Sequence, residues 1–242
     1  MRPFLFLLLA PLPFLAAAEP HTFASGPARI ALVELFTSEG CSSCPPAERW
    51  LGALRDDPGL WKNFVPVAFH VDYWNRLGWP DRFSAREFTQ REYEHAAGWR
   101  SGSVYTPCFV RDGAEWRARD GVPASHEEAG ALTATLDGGV LRAEFAPAPG
   151  ASGGRRSAAA EFEIHAALLG ASIVSRVTAG ENRGETLRHE FVALALVAGA
   201  PGADIALAAP RKFTDIPRRA LAVWVTRRGS LAPLQACGGW LD

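Results

Sequence analysis

The stretch that decides the fold is Val33-Glu34-Leu35-Phe36-Thr37-Ser38-Glu39-Gly40-Cys41-Ser42-Ser43-Cys44-Pro45-Pro46-Ala47. An apolar strand runs into a short loop, and two cysteines separated by two residues open a helix. Pro45 and Pro46 are tolerated only in a first helical turn, where backbone N–H groups lack partners anyway. Cys41 therefore lies just ahead of the helix, and Cys44 enters it. Sulfurs at this spacing close a disulfide with little rearrangement, and a helix N-terminus beside the first favours its thiolate. Cys41 is the candidate nucleophile, expected to be the more exposed sulfur, and Cys44 the resolving one. An inert disulfide is the alternative reading of the same residues.

Working outward, Arg29 to Phe36 reads as a buried strand, and Cys44 to Arg55 as a helix with Ala47, Trp50, Leu51 and Leu54 on one face. Val65 to Val71 is almost entirely apolar, as an inner parallel strand covered on both faces should be. Ser84-Ala85-Arg86-Glu87 has the pattern of a capping box and predicts a helix to about Ala97. Val104 to Val110 reads as a strand interrupted by Pro107, and Asp112-Gly113 as a hairpin turn leading to Trp116. Ser125-His126-Glu127-Glu128 repeats the capping pattern and predicts a helix to about Leu136. Alternating strands and helices of this kind make an α/β layer sandwich.

The texture changes after residue 137. Val140–Phe145, Ala158–Leu168, Ser172–Thr178, Thr186–Val197 and Ala220–Thr226 read as strands joined by Gly-rich turns. Pro147 to Ser157, rich in Pro, Gly, Ala and Ser, reads as a hairpin loop. The expected organisation is an α/β domain over 27–137 and a small antiparallel β-sandwich-like domain over 138–242.

The net charge of -1 gives no electrostatic reason for a nucleic-acid partner. Met1-Arg2, the apolar run Pro3 to Leu15, and Ala16-Ala17-Ala18 form the three parts of a secretory signal peptide, expected over 1–18. The apolar run is short for a bilayer span. The expected product is secreted or periplasmic, with no membrane attachment after cleavage, in a compartment that tolerates disulfides.

The chain resembles the thioredoxin fold, in which a strand, a CxxC helix and a later cis-proline face one another; here the proline pair is Thr106-Pro107. More narrowly it resembles DUF1223, a family of secreted thioredoxin-like proteins without an established reaction. The resembling residues are Glu34 to Ala47, the run His70 to Trp79 with Asp81 and Phe83, Tyr105-Thr106-Pro107, and Gly180-Glu181-Asn182-Arg183-Gly184. Cys108 departs from the family pattern, which has glutamine after the proline, and the pattern does not require Cys237.

The resemblance implies a thiol–disulfide oxidoreductase acting on exported proteins with thiols or disulfides, or on a redox partner protein. Glu34 resembles the buried acid that shuttles protons beneath the sulfurs, and an apolar strand should raise its pKa. Pairing with Arg29 or Arg49 is the structural alternative. Thr106 and Pro107 would bind substrate through strand addition. Trp74 and Trp79, with Tyr73 and Phe83, make either a hydrophobic substrate wall or a loop packed into the core. Glu39 reads as solvent-facing.

Cys108 and Cys237 have three readings: a second disulfide tethering the C-terminus, a relay at Cys108, or two free thiols. His70 and Asp72 share a strand face, and with Cys41 and Cys44 they raise a soft metal site such as copper. No zinc spacing is present, and neither a metal nor another cofactor is expected. A binding module that keeps the fold around a static disulfide is the alternative function.

Overall fold

The computed structural model describes residues 19–117, 121–149 and 158–241. The expected signal peptide, and the loop Pro147–Ser157 from residue 150 onward, lie outside the described residues.

In chain order the elements are β1 (His21–Ala24), β2 (Ala31–Thr37), α1 (Pro45–Ala53), β3 (Phe64–His70), α2 (Arg86–Gly98), β4 (Cys108–Arg111) and β5 (Ala114–Glu115). There follow β6 (Gly130–Asp137), β7 (Val140–Pro147), α3 (Ala158–Glu161), β8 (Phe162–Ala171), β9 (Ile173–Arg176) and β10 (Thr186–His189). The last are β11 (Val192–Gly199), β12 (Ile205–Ala206), β13 (Arg218–Arg227) and β14 (Pro233–Trp240).

An eight-stranded mixed sheet in the order β14-β13-β8-β11-β3-β2-β4-β5 forms the centre. β2 and β3 pair in parallel and are buried along their whole length, which is why both read as near-continuous apolar runs. β11 joins the free edge of β3 in parallel, with Val192 opposite Ala68. β4 pairs antiparallel with β2 and turns back into β5 through Asp112 and Gly113, both at positive φ, as the Asp-Gly signal requires. β8, β13 and β14 complete the other wing, each antiparallel to its neighbour, with β8 paired antiparallel to β11.

A second sheet, β1-β6-β7-β12, is antiparallel. Leu132, Ala134, Leu141 and Phe145 on its inner side meet Phe162, Ile164, Val223 and Val225 of the large sheet. β9 and β10 form a separate two-stranded ribbon. The expected boundary at residue 137 falls at the β6–β7 hairpin tip. Strands from both sides of it enter the large sheet.

The predicted helix over 125–136 is corrected to strand β6. Its burial alternates along Gly130-Ala131-Leu132-Thr133-Ala134, the period of a half-covered strand. Ser125 Oγ accepts the Glu127 N–H at 3.1 Å, a local serine turn. Gly130, at φ 105°, then enters β6 where a Cβ would collide with the Ala146 carbonyl. At α2 the helix stands as expected, but its cap is Ala85 and no side-chain cap bond forms; Ser84 Oγ instead donates to the Asp81 carbonyl at 2.8 Å. The predicted strand Thr186–Val197 is broken at Phe191, which has φ 59°. The predicted strand Ala158–Leu168 begins with the short helix α3.

Gln235 of β14 fastens the two sheets. Its fully buried amide accepts N–H bonds from Ile30 at 2.8 Å and Ala236 at 3.0 Å. It donates to the carbonyls of Gly26, Ala28 and Gly130 at 3.2, 3.0 and 2.7 Å. The entry to β2 and the start of β6 are thereby anchored to the last strand.

Candidate functional site

β2 delivers Thr37 to a tight loop held by its own backbone. The Cys41 N–H donates to the Ser38 carbonyl at 3.1 Å, and the Cys44 N–H to the Cys41 carbonyl at 3.2 Å. Gly40 sits against Trp74, whose Cβ would lie 3.1 Å from a Cβ placed there. Cys44 is the N-cap of α1, with proline in the first turn. Cys41 and Cys44 form a disulfide, with Cα atoms 5.4 Å apart.

Thr106-Pro107 is a cis peptide, and the Thr106 carbonyl oxygen lies 3.8 Å from Cys41 Sγ. Ser43 Oγ lies 3.3 Å from the same sulfur and 3.5 Å from the same carbonyl. Trp74 Nε1 donates to Thr106 Oγ1 at 2.8 Å, and Trp79 Nε1 to Glu39 Oε2 at 2.7 Å. Both tryptophans are half-buried and brace the loops around the disulfide. A groove lined by Tyr105, Pro107, Phe109, Trp116 and Arg117 opens beside the proline. A larger cavity of about 650 Å³ opens elsewhere, beside His95, Trp99, His165 and Leu231.

The expectation of an exposed Cys41 is corrected: both sulfur-bearing residues are 0 % exposed. The turn after β9 covers them. Asn182 Nδ2 donates to the carbonyls of Glu39 and Cys41 at 2.8 and 2.9 Å, and Glu181 Oε2 accepts the Ser42 N–H at 3.0 Å. The Gly180–Gly184 motif thus belongs to the site, although it lies some 140 residues along the chain.

Glu34 is fully buried but not as a raised-pKa acid. Arg91 Nε donates to its Oε2 at 2.6 Å, and His95 Nε2 lies 3.4 Å away. Burial alone would raise its pKa, yet the Arg91 guanidinium and His95 outweigh that and hold it at about 2. Neither expected arginine is the partner; Arg29 pairs with Glu127.

Cys108 and Cys237 are free and buried, so the expected tether is corrected. They belong to different cores, and burial pushes each thiol up to about 12. A relay at Cys108 would need a thiolate, which burial disfavours.

Beneath the disulfide lies a buried polar network that includes Glu39, which is only 1 % exposed rather than solvent-facing. Glu39 Oε1 meets His189 Nε2 at 3.1 Å, and His189 Nδ1 meets Glu48 Oε2 in a short contact. Thr37 Oγ1 donates to Glu48 Oε1 at 2.7 Å. Asp81 Oδ2 bonds His70 Nδ1 at 2.7 Å and accepts the Glu39 N–H at 2.9 Å. Burial would lower the His189 pKa, but Glu48 and Glu39 raise it to about 10. His70 is raised likewise by Asp81, against its burial, and Glu48 is lowered by His189 against its own. Only His70, in the β3 run, was singled out by sequence reasoning as a site group. Glu48 is one turn past Cys44, and that spacing is the signal that could have found it.

Comparison with solved structures gives two likenesses that show the fold alone. The crystal structure of protein AGR_C_4864 from Agrobacterium tumefaciens is 20 % identical, with a TM-score of 0.58 over 88 % of this chain and 95 % of that one. HBP35 of Porphyromonas gingivalis is 13 % identical, with a TM-score of 0.54 over 90 % of this chain and 77 % of that one. No curated protein matches. The profile of a family described as protein of unknown function (DUF1223) matches residues 32–226, and the chain belongs to that family.

Proposed function

We propose that this chain is an exported, thioredoxin-like thiol–disulfide oxidoreductase working through Cys41 and Cys44. The observation that carries the reading is the disulfide at the start of α1, set against the Thr106 carbonyl ahead of a cis-proline. In the reduced chain the Cys41 thiolate attacks a partner disulfide, and one partner sulfur leaves as thiolate. Cys44 then attacks Cys41 Sγ in the mixed disulfide, which restores the Cys41–Cys44 bond and releases the second partner sulfur. Two electrons pass to the partner; the reverse sequence oxidises a partner dithiol. Thr106 and the groove beside Pro107 would hold an extended segment of that partner. Glu34, locked to Arg91, takes no part in proton transfer. The turn carrying Glu181 and Asn182 must swing aside before a partner reaches the sulfurs.

The burial of both sulfurs favours a second reading, in which the disulfide is a staple in a binding module. The equilibrium reduction potential separates the two. A value between about -270 and -120 mV, with a mixed disulfide trapped by Cys44→Ser, fits the oxidoreductase. A value below about -300 mV with no trapped species fits the staple. Asn182→Ala removes two hydrogen bonds from the cover and should speed reduction by a small thiol about tenfold.

A further inference from the structure

The structure assigns a second site to this chain: Glu48, His70 and His189 form a binding site for a divalent transition metal ion such as zinc, buried behind the disulfide loop. One ligand atom from each of these residues lies within 4.8 Å of those from the other two. Two imidazoles and a carboxylate are the donor set that suits zinc and its neighbours in the first transition row.

The surroundings of the histidines carry the argument. Metal-bound imidazoles place one nitrogen on the ion and give the other to a carboxylate, which fixes the tautomer and orients the ring. His70 has this arrangement, because its Nδ1 is held by Asp81 at 2.7 Å. Its other nitrogen, Nε2, is buried without a hydrogen-bond partner, on a residue that is 0 % exposed. A buried polar atom with no partner is costly, and a metal bond is the partner it lacks. His189 repeats the pattern: Nε2 faces Glu39 at 3.1 Å and Nδ1 faces Glu48. The two rings lie with centroids 5.3 Å apart. Glu48 is itself oriented by the Thr37 hydroxyl. An ion here would take the place of the hydrogen bond between Glu48 and His189. It would tie α1, β3 and β10 together directly beneath Cys41 and Cys44.

The site is enclosed, so the test loads the metal during folding. Mature chain is unfolded in guanidinium with a chelator and refolded with or without zinc. It is then freed of loose ion and assayed for bound zinc by mass spectrometry. One zinc per chain is expected, with a higher Tm than the metal-free form. His70→Gln and His189→Gln should lose the zinc, and the exposed His126→Gln should keep it. Asp81→Asn should weaken zinc affinity by about 10- to 100-fold, chiefly by loosening the hold on His70. Cobalt loading of the unaltered chain reads the site even if a variant fails to fold. Visible bands without a sulfur charge-transfer band are expected. No retained ion, equal retention in all variants, or a sulfur charge-transfer band would overturn the assignment.

Discussion

Two buried charge clusters flank β2, and they are built on different rules. Glu34 and Thr37 are three residues apart, so their side chains leave opposite faces of the strand. On the α2 side, Glu34 meets Arg91 and His95. On the α1 side, Thr37 leads to Glu48, His189, Glu39, Asp81 and His70. The first cluster contains a permanent cation, because arginine does not release its proton in proteins. The second has three carboxylates and no arginine or lysine, so its balance depends on protons held by two imidazoles. One cluster is locked and the other is adjustable, and the adjustable one lies under the disulfide. A face that serves only packing needs a fixed charge balance. The face beside the disulfide has one that can respond.

The largest expected effect breaks the locked cluster. Arg91→Met takes the guanidinium from the buried Glu34 carboxylate, leaving only His95 beside it, and should cost about 3–5 kcal/mol in urea unfolding. The double variant Glu34→Leu with Arg91→Met should recover most of that loss, because no charge is stranded. A single variant that unfolds like the parent would mean the cluster is not locked at all.

The next effect is in acid. The Glu34 pKa falls from an ordinary 4.5 to about 2 on folding, so its stabilising contribution is complete above about pH 4.5. That contribution, about 3 kcal/mol, is lost as pH falls through this window toward 2. Stability measured from pH 5 down to pH 2 should therefore decline less steeply in Glu34→Gln than in the parent.

A smaller effect is expected in the adjustable cluster. In His189→Gln a neutral side chain that can still donate a hydrogen bond to these carboxylates replaces the imidazole, so the loss should be about 1–3 kcal/mol at neutral pH. A loss as large as that of Arg91→Met would erase the distinction between the two faces.

The smallest effect is a null one. Cys108 leaves β2's neighbour opposite Phe36, on the α2 side, and its thiol sits near pKa 12. Neither it nor Cys237 should take up a thiol reagent at pH 8 in the native chain, and both should do so in denaturant. Native labelling of Cys108 would reopen the relay.

The parts of the fold that were legible in sequence are those fixed by short-range chemistry. The apolar runs of β2 and β3, the proline-opened helix α1 and the Asp112-Gly113 turn all follow from neighbouring residues. The Ser125 segment misled because a serine followed by acidic residues also makes an isolated turn, and the period-two burial of β6 outweighs it. The site was half legible. Cys41, Cys44 and the cis-proline announce themselves, but burial of Glu39 does not. Trp79, Asp81 and His189 reach it from 40 to 150 residues away. Glu34 shows the same limit, since its acidity depends on Arg91, 57 residues later.

The amide of Gln235 has a consequence in time. A chain that emerges from its N-terminus exposes Gly26, Ala28 and Ile30 early, yet the group that satisfies them comes 205 residues after Ile30. The mouth of β2 therefore stays unfinished until nearly the whole polypeptide is out, and closure is a late event rather than a progressive one.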